Sequence, residues 1–470
     1  MSFIAFVNGT IFLFFGALMA LDALLFPATA GVFLKAAVLT AVFGGLICIA
    51  ASSSMENIQR KHAFMLTTTV WLSAALAGAA PLFLWSLSPT DAFFESMSGI
   101  TTTGSTVMTG LDTTPRGILF WRALLQGVGG IGFIVTGIAL LPFLKVGGMQ
   151  LFRTESSDKG DKELKSAAAF SVATLEIYLG LIVACALIYI IGGMNPFDAV
   201  THALATLSTG GYSGYDASFG HFHSAFLEWA ATGFMLAGAL PFSWYIRLYY
   251  KRTARSEQVR AMMISLALII PAMALWLSLA RGVFFPDALR LVAFNVVSVV
   301  TTTGFATTDY TLWGPFAVGV FLVLTAVGGC TGSTAGGAKA MRWLLTIRAV
   351  KVQLQNLLSP NQIVSVRYEG RRVQEDVMTG VIVFLVFYFL TFSVLSLLLS
   401  VMGLDTLTAT SGALTALANV GPGIGSIIGP AGNFATLSDP VKILLSIGMY
   451  LGRLEILTVV VVLMPSYWRA

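Results

Sequence analysis

Ten apolar runs, each long enough to cross a bilayer, punctuate this 470-residue sequence and leave little room for a water-soluble fold. A spanning helix needs roughly 20 apolar residues. Such runs are expected near 3–26, 31–52, 63–87, 117–144, 168–194, 222–246, 261–281, 312–346, 377–402 and 440–465. Only 10% of the residues are charged, against about 25% in soluble domains, and 56% are hydrophobic. A globule of this length cannot hide that much apolar surface from water. The three cysteines, Cys48, Cys185 and Cys330, lie in or beside apolar runs without metal-ligand spacing and read as small buried hydrophobes. The first run lacks a basic n-region and is expected to be a retained helix, not a signal peptide.

Four further apolar segments, near 91–100, 198–206, 287–300 and 405–417, are too short to cross. Each starts near an aspartate and ends in a cluster of Gly, Thr, Ser or Asn, the pattern of a re-entrant loop. Asp91, Asp198 and Asp405 at these starts are expected to be helix N-caps. Basic residues orient the chain. The loops near 52–62, 143–167, 245–262 and 338–376, with the C-terminal tail, hold 20 of the 27 Lys and Arg. All fall on one side of a ten-span arrangement, so that side and both termini are expected to be cytoplasmic. The four short segments then all enter from outside.

Internal repetition is the most informative pattern. Thr101-Thr102-Thr103-Gly104-Ser105 recurs as Thr301-Thr302-Thr303-Gly304-Phe305, with Phe94 and Ser98 matching Phe294 and Ser298. Weaker copies are Leu207-Ser208-Thr209-Gly210-Gly211 and Ala418-Asn419-Val420-Gly421-Pro422. The expected fold is an all-α polytopic membrane protein with four parallel helix–pore-loop–helix repeats around a single central pore, plus two N-terminal helices. Its units are 1–62 for the two N-terminal helices, 63–167, 168–258 and 259–374 for repeats one to three, and 375–470 for repeat four.

Strips of this composition suit a monovalent cation. Backbone carbonyls replace the hydration shell of potassium without the trapping effect of full negative charges. Glycine permits the dihedrals that aim successive carbonyls at one axis. The strips contain no acidic ring of the kind a divalent-cation filter uses, and the short helices would point their negative C-terminal ends at the pore.

In this order, and ending in Asn419-Val420-Gly421-Pro422-Gly423, the four strips resemble the filters of the Trk/Ktr/HKT superfamily of potassium transporters over nearly the whole chain. The two extra N-terminal helices resemble the bacterial TrkH/TrkG branch. The resemblance implies potassium-binding filter positions at Thr102, Thr103, Gly104, Ser208, Thr209, Gly210, Thr302, Thr303, Gly304, Asn419, Val420 and Gly421. Glycine at all four key positions, taken as Gly104, Gly210, Gly304 and Gly421, implies potassium selectivity. The resemblance further implies a bacterial inner membrane, a homodimer, and a separate cytoplasmic nucleotide-binding regulatory subunit of the TrkA kind. The basic loops are plausible docking surfaces for that subunit, or contacts for anionic membrane lipid. The resemblance implies potassium as the transported ion, and no organic cofactor is expected.

The eighth run is interrupted by ten small or helix-breaking residues: Gly328, Gly329, Cys330, Thr331, Gly332, Ser333, Thr334, Ala335, Gly336 and Gly337. Unwound backbone at membrane depth needs protein or water to satisfy it, so this segment is either a packing kink or a loop beside the ion path. The resemblance implies the latter: a gate under the filter, completed by Arg453. Arg453, inside the last apolar run, either pairs with Glu455 or another acid, or projects under the filter as a barrier. Glu95, Glu176 and Glu228 are expected in hydrogen-bonded structural roles.

Gly127-Val128-Gly129-Gly130-Ile131-Gly132 matches a dinucleotide motif but lies inside an apolar helix, where close packing is expected instead. Gly332 to Lys339 misses a P-loop because Ala338 stands in the lysine position. The four histidines form no ligand set, with His221 and His223 expected in an exposed loop, and no nucleophile–base pair marks an enzyme. The sequence pI of about 9.1 follows from sidedness and not from nucleic-acid binding. The competing reading is a secondary transporter coupling sodium or protons to potassium, whose inverted repeats would alternate in direction.

Overall fold

The protein is described by a computed structural model covering residues 2–52, 60–140, 167–359 and 364–469. The expected all-helical membrane architecture is found. The first three long helices are α1 (Ser2–Leu25), α2 (Ala30–Ala51) and α3 (Arg60–Trp85), and α1 and α2 pack as a hairpin beside α3. Four units of one pattern follow: a long helix, a short helix, an extended strip and another helix. They are α3, α4 (Pro89–Ile100) and α5 (Arg116–Leu140); α6 (Ala167–Ile191), α7 (Pro196–Leu207), α8 (Ala225–Ala239) and α9 (Phe242–Lys251); α10 (Glu257–Arg281), α11 (Phe285–Val300), α12 (Pro315–Thr325) and α13 (Ala340–Leu358); and α14 (Glu375–Val401), α15 (Thr406–Ala418), α16 (Asp439–Arg453), α17 (Leu457–Leu463) and α18 (Pro465–Arg469).

Among the described residues, six unbroken helices are long and apolar enough to cross a membrane, and two bent pairs bring the number to eight. The fourth and eighth expected spans correspond to α5, described as far as Leu140, and to α12 and α13 with an irregular stretch between them. Residues 141–166, which include one expected basic loop, lie outside the described residues. Side chains such as Leu46 (62% exposed), Leu268 (68%) and Leu397 (66%) stand free on the outer helix faces. Water would penalise each, whereas lipid tails accept them without cost.

Three expectations need correcting. The sixth and tenth spans are not straight: α8 and α9 meet at 91°, and α16 and α17 at 108°. Leu240-Pro241 accounts for the first bend, because proline has no N–H to continue the ladder. Glu455 and Ile456 take left-handed φ of 59° and 44° at the second. Third, 338–376 is not a plain loop. Ala340–Leu358 has neither Gly nor Pro and is rich in helix formers, so α13 carries on, and a small hairpin pairs β1 (Arg367–Tyr368) with β2 (Arg371–Arg372).

The short helices start by a common rule that the aspartates obey only in part. Ser88 and Asn195 accept the backbone N–H of Asp91 and Asp198, so these aspartates occupy the third helical position and are not caps. Asp405 does cap α15, accepting from Thr408 N. Proline opens α4 and α7, where its missing N–H costs nothing. Among the described residues the core has one apolar cluster around α4 and α15, another around α7 and α11, and a third where α13 packs on α14; the four strips run where the first two meet.

Candidate functional site

The four strips form a closed ring. A Cβ added at Gly104 would press on the Gly210 carbonyl oxygen, at Gly211 on that of Thr303, at Gly304 on that of Val420, and at Gly421 on that of Thr103. Each strip therefore lies in backbone contact with the next, and the fourth returns to the first. Only glycine fits: the four carry φ of 88°, 74°, 82° and 110°, where an L side chain is strained even without a neighbour. Ser105 Oγ donates to the Gly421 carbonyl at 2.8 Å, and Asn419 Nδ2 to Thr103 Oγ1 at 2.9 Å, bonding the first strip to the fourth.

Two residues before each glycine, a non-glycine residue also takes positive φ: Thr102 (53°), Thr209 (51°), Thr302 (59°) and Asn419 (55°). A β-branched residue in this region is a real outlier. In each strip the next residue returns an N–H to the short helix five positions back: Thr103 to Ser98, Gly210 to Ala205, Thr303 to Ser298 and Val420 to Thr415. The two patterns fix the register and correct the expected one. Gly211, and not Gly210, is the counterpart of Gly104, Gly304 and Gly421. Gly210 stands at the Thr103 position, and Ser208 is the C-terminal cap of α7.

Glu95, expected in a hydrogen-bonded structural role, and three side chains that sequence reasoning missed, Arg122, Gln126 and Tyr212, hold the ring. Glu95 and Arg122, both inaccessible to solvent, pair at 2.8 Å. Glu95 also accepts from Thr106 Oγ1 and Val107 N, while Arg122 Nη1 donates to the Ser213 carbonyl. Strips one and two are thus fastened to a single ion pair. Gln126 Nε2 donates to the Gly210 carbonyl at 2.6 Å and its Oε1 accepts from Tyr212 N at 3.0 Å. Tyr212 covers the Arg122 guanidinium at 4.1 Å and donates from its hydroxyl to the Glu95 carbonyl. A charge in the middle of an apolar run was the available signal for Arg122. In the third unit Asn295 occupies the place of Glu95 and bonds Thr307 Oγ1 at 2.9 Å. Glu228 pairs with Arg290 at 2.8 Å, but Glu176 is exposed on α6 and holds no buried network.

On one side of the ring lies a cavity of about 280 Å³, lined by Gly104, Gly211, Gly304 and Pro422 from the four strips and by Asp216. Asp216 is fixed there by the backbone N–H groups of Gly110 and Leu111. At the start of α15, hydrogen bonds from Thr408 hold the Asp405 carboxyl below its ordinary range. His221 and His223 are exposed, as expected, and His221 stacks on Tyr215 at 3.5 Å.

On the opposite side the irregular stretch between α12 and α13 folds back on itself, with the Gly328 and Gly337 backbones in contact. It reaches three strips. Thr334 Oγ1 lies 3.3 Å from Thr209 Oγ1, Gly336 N donates to Thr302 Oγ1 at 2.8 Å, and a Cβ at Gly336 would meet the Ala418 carbonyl and Asn419 Cβ. Neighbouring helices satisfy its backbone. Thr331 N donates to Gln258 Oε1, Cys330 N to the Ala239 carbonyl, and Phe242 N to the Gly332 carbonyl, while Ser333 Oγ donates to the Cys330 carbonyl and Ala340 N to that of Gly329.

Arg453, 2% exposed, donates from Nη1 to the Thr334 carbonyl at 2.9 Å and from Nη2 to the Gly129 carbonyl at 3.1 Å. The sequence-level alternative of a bridge to Glu455 is not what forms. Glu455 is taken by Arg342 at 2.6 Å and Lys339 at 3.3 Å. The dinucleotide-like glycines serve packing, with Gly129 against the Ile100 backbone and Gly130 against Ser208. No group of three or more His, Cys, Asp or Glu that could hold a metal ion occurs among the described residues.

A helical, lipid-facing chain with a ring of backbone strips between an open cavity and an intramembrane loop is a multi-pass membrane transport protein. A family model described as TrkH, cation transport protein, matches residues 30–285 and 285–469, so the chain belongs to that family. The Trk system potassium uptake protein TrkI of Halomonas elongata is 46% identical over 454 residues, covering 95% of this chain and 91% of that protein. The TrkH protein of Escherichia coli (strain K12) is 36% identical, with 88% and 87% covered. The crystal structure of the potassium transporter TrkH from Vibrio parahaemolyticus superposes with a TM-score of 0.90 at 31% identity, over 100% of both chains.

Proposed function

We propose that the chain takes up potassium across the bacterial inner membrane, with both termini cytoplasmic, through a filter made by its four unequal strips. The observation that carries this reading is the closed ring of glycines, in which each strip touches the next. Four strips so joined enclose one axis, and backbone carbonyls around one axis replace potassium's water while leaving it free to depart. The relatives named above are potassium uptake proteins, which points to the same ion. The filter residues are Thr102–Gly104, Thr209–Gly211, Thr302–Gly304 and Asn419–Gly421, and the cavity on the other face is the outer antechamber.

The loop from Gly328 to Gly337 then serves as the gate, and Arg453 holds it shut while placing a positive charge under the filter. Removing the loop should raise flux without altering ion preference. A cytoplasmic nucleotide-binding subunit would act on this gate through the basic cytoplasmic surface, and two copies of the chain would each keep their own pore. The reading as a sodium- or proton-coupled carrier with inverted repeats is disfavoured because all four strips meet in one ring and line the same cavity, as units entering from one side do and units of alternating direction do not.

The deciding experiment is growth of uptake-deficient bacteria on limiting potassium. The chain should restore growth, and Gly104→Ser should weaken the rescue by admitting sodium. Absence of rescue by the unaltered chain would count against the proposal.

A further inference from the structure

The bend after Pro241 leaves one helix with an unusual setting. The bend sets α9 at 91° to α8; with α8 taken as part of the sixth span in the proposed orientation, α9 lies along the membrane plane on the cytoplasmic side of the strips. Its sequence, Phe-Ser-Trp-Tyr-Ile-Arg-Leu-Tyr-Tyr-Lys, is that of an in-plane amphipathic helix. Phe242 and Ile246 are buried against the protein, while Leu248, Tyr249 (79% exposed) and Tyr250 stand free. Aromatic rings concentrate at headgroup level.

The charge around this helix is one-sided. From Phe242 to Arg260 the chain carries Arg247, Lys251, Arg252, Arg255 and Arg260 against the single acid Glu257, which Arg348 already engages at 2.5 Å. Arg252 and Arg255 are exposed just past the helix end. Arg247 is the telling residue. Its Nε and Nη2 are shut off from solvent and have no hydrogen-bond partner among the described residues. A guanidinium in that condition is costly unless an anion completes it, and its fork suits a phosphate.

We infer that α9 and the turn after it form a binding site for an anionic phospholipid headgroup, with Arg247 as the inner contact and Arg252 and Arg255 as outer ones. The site rests on the proposed orientation, in which this face meets the cytoplasmic leaflet. It does not depend on which ion the pore carries. It is also joined to the loop below the strips: Phe242, the first residue of α9, donates its N–H to the Gly332 carbonyl at 2.9 Å, so the seat of the lipid and the loop share a hydrogen bond.

The test is lipid retention by the full-length chain purified in mild detergent, read by native mass spectrometry with phosphatidylglycerol and phosphatidylcholine as probes. The unaltered chain should retain phosphatidylglycerol selectively, and soluble glycerol 3-phosphate should not compete. The triple variant R247Q/R252Q/R255Q should weaken retention about a hundredfold, from roughly one step per cation removed. The hairpin variant R367Q/R371Q/R372Q, with the same charge removed elsewhere, should retain the lipid, and R247K, which keeps the charge but not the fork, should retain it less than the parent and more than R247Q. Equal retention by the α9 triple variant, equal loss in the hairpin variant, or competition by glycerol 3-phosphate would each overturn the lipid site. So would loss of a bound protein partner from the α9 variant with lipid retention unchanged.

Discussion

Arg453 donates a hydrogen bond from Nη1 to the carbonyl oxygen of Thr334, 2.9 Å away and 119 residues earlier in the chain. The contact joins the last membrane helix to the loop beneath the strips, and its second arm, to Gly129, joins both to α5.

Arg453→Ala should loosen the loop. A hydrogen bond from a charged group contributes about 1.5–3 kcal/mol, so losing the Thr334 contact should shift the loop's equilibrium by roughly tenfold to a hundredfold. Rubidium uptake into vesicles containing the purified variant should rise by at least several-fold. Uptake equal to that of the parent would show that Arg453 does not restrain the loop.

The corrected register makes a sharp contrast. At Gly211, φ is 74° and an added Cβ would press on the Thr303 backbone; at Gly210 it would meet only the Gln126 side chain. Gly211→Ser should therefore collapse potassium-over-sodium discrimination, at a backbone cost of about 1–3 kcal/mol. Gly210→Ser should disturb the Gln126 contact and spare most of the preference. Competition of sodium with rubidium uptake measures both, and the reverse ranking would refute the register.

Glu95→Ala leaves the Arg122 charge buried with its main partner gone. Such single removals cost about 3–5 kcal/mol. The variant should unfold in detergent well below the parent temperature, whereas Glu95→Gln, which keeps an acceptor, should lose less. Equal melting curves for all three proteins would mean that the pair does not hold the ring.

Asp405 predicts an acid limb. Its carboxyl is held below the ordinary value by the hydrogen bonds from Thr408. Its contribution is therefore present above the unfolded value, about 4, and fades as pH falls through the lower folded value. Thermal melts of Asp405→Asn should show a shallower loss of stability below about pH 4 than the parent. Parallel curves would exclude the cap as a source of the pH dependence.

The repeat was legible because Thr-Thr-Gly at 102–104 and 302–304 repeats almost letter for letter. The second strip was read one residue out of step for a physical reason. Gly210-Gly211 offers two glycines, and only the dihedral angles and the bond from Gly210 N to the Ala205 carbonyl say which one turns. The break in the eighth span was visible as a run of small residues. The bend at α8–α9 had only Pro241 to announce it, and that at α16–α17 rests on positive φ at Glu455 and Ile456, which nothing in their chemistry advertises. The restraints on the ring were hidden by distance, since Glu95, Arg122 and Ser213 meet only after three separate segments have folded.

The ring of glycine-to-carbonyl contacts also bears on how such a chain can change. A channel of four identical subunits alters all its quarters at once, whereas this chain can alter one. Each quarter presses on two neighbours and not on the quarter opposite. Substitutions in strips one and two, or three and four, should therefore show epistasis, while those in one and three should combine almost independently. The constraint on change runs around a circle: the residues around Asn419 and Val420 can vary only as far as Gly304 on one side and Thr103 on the other allow.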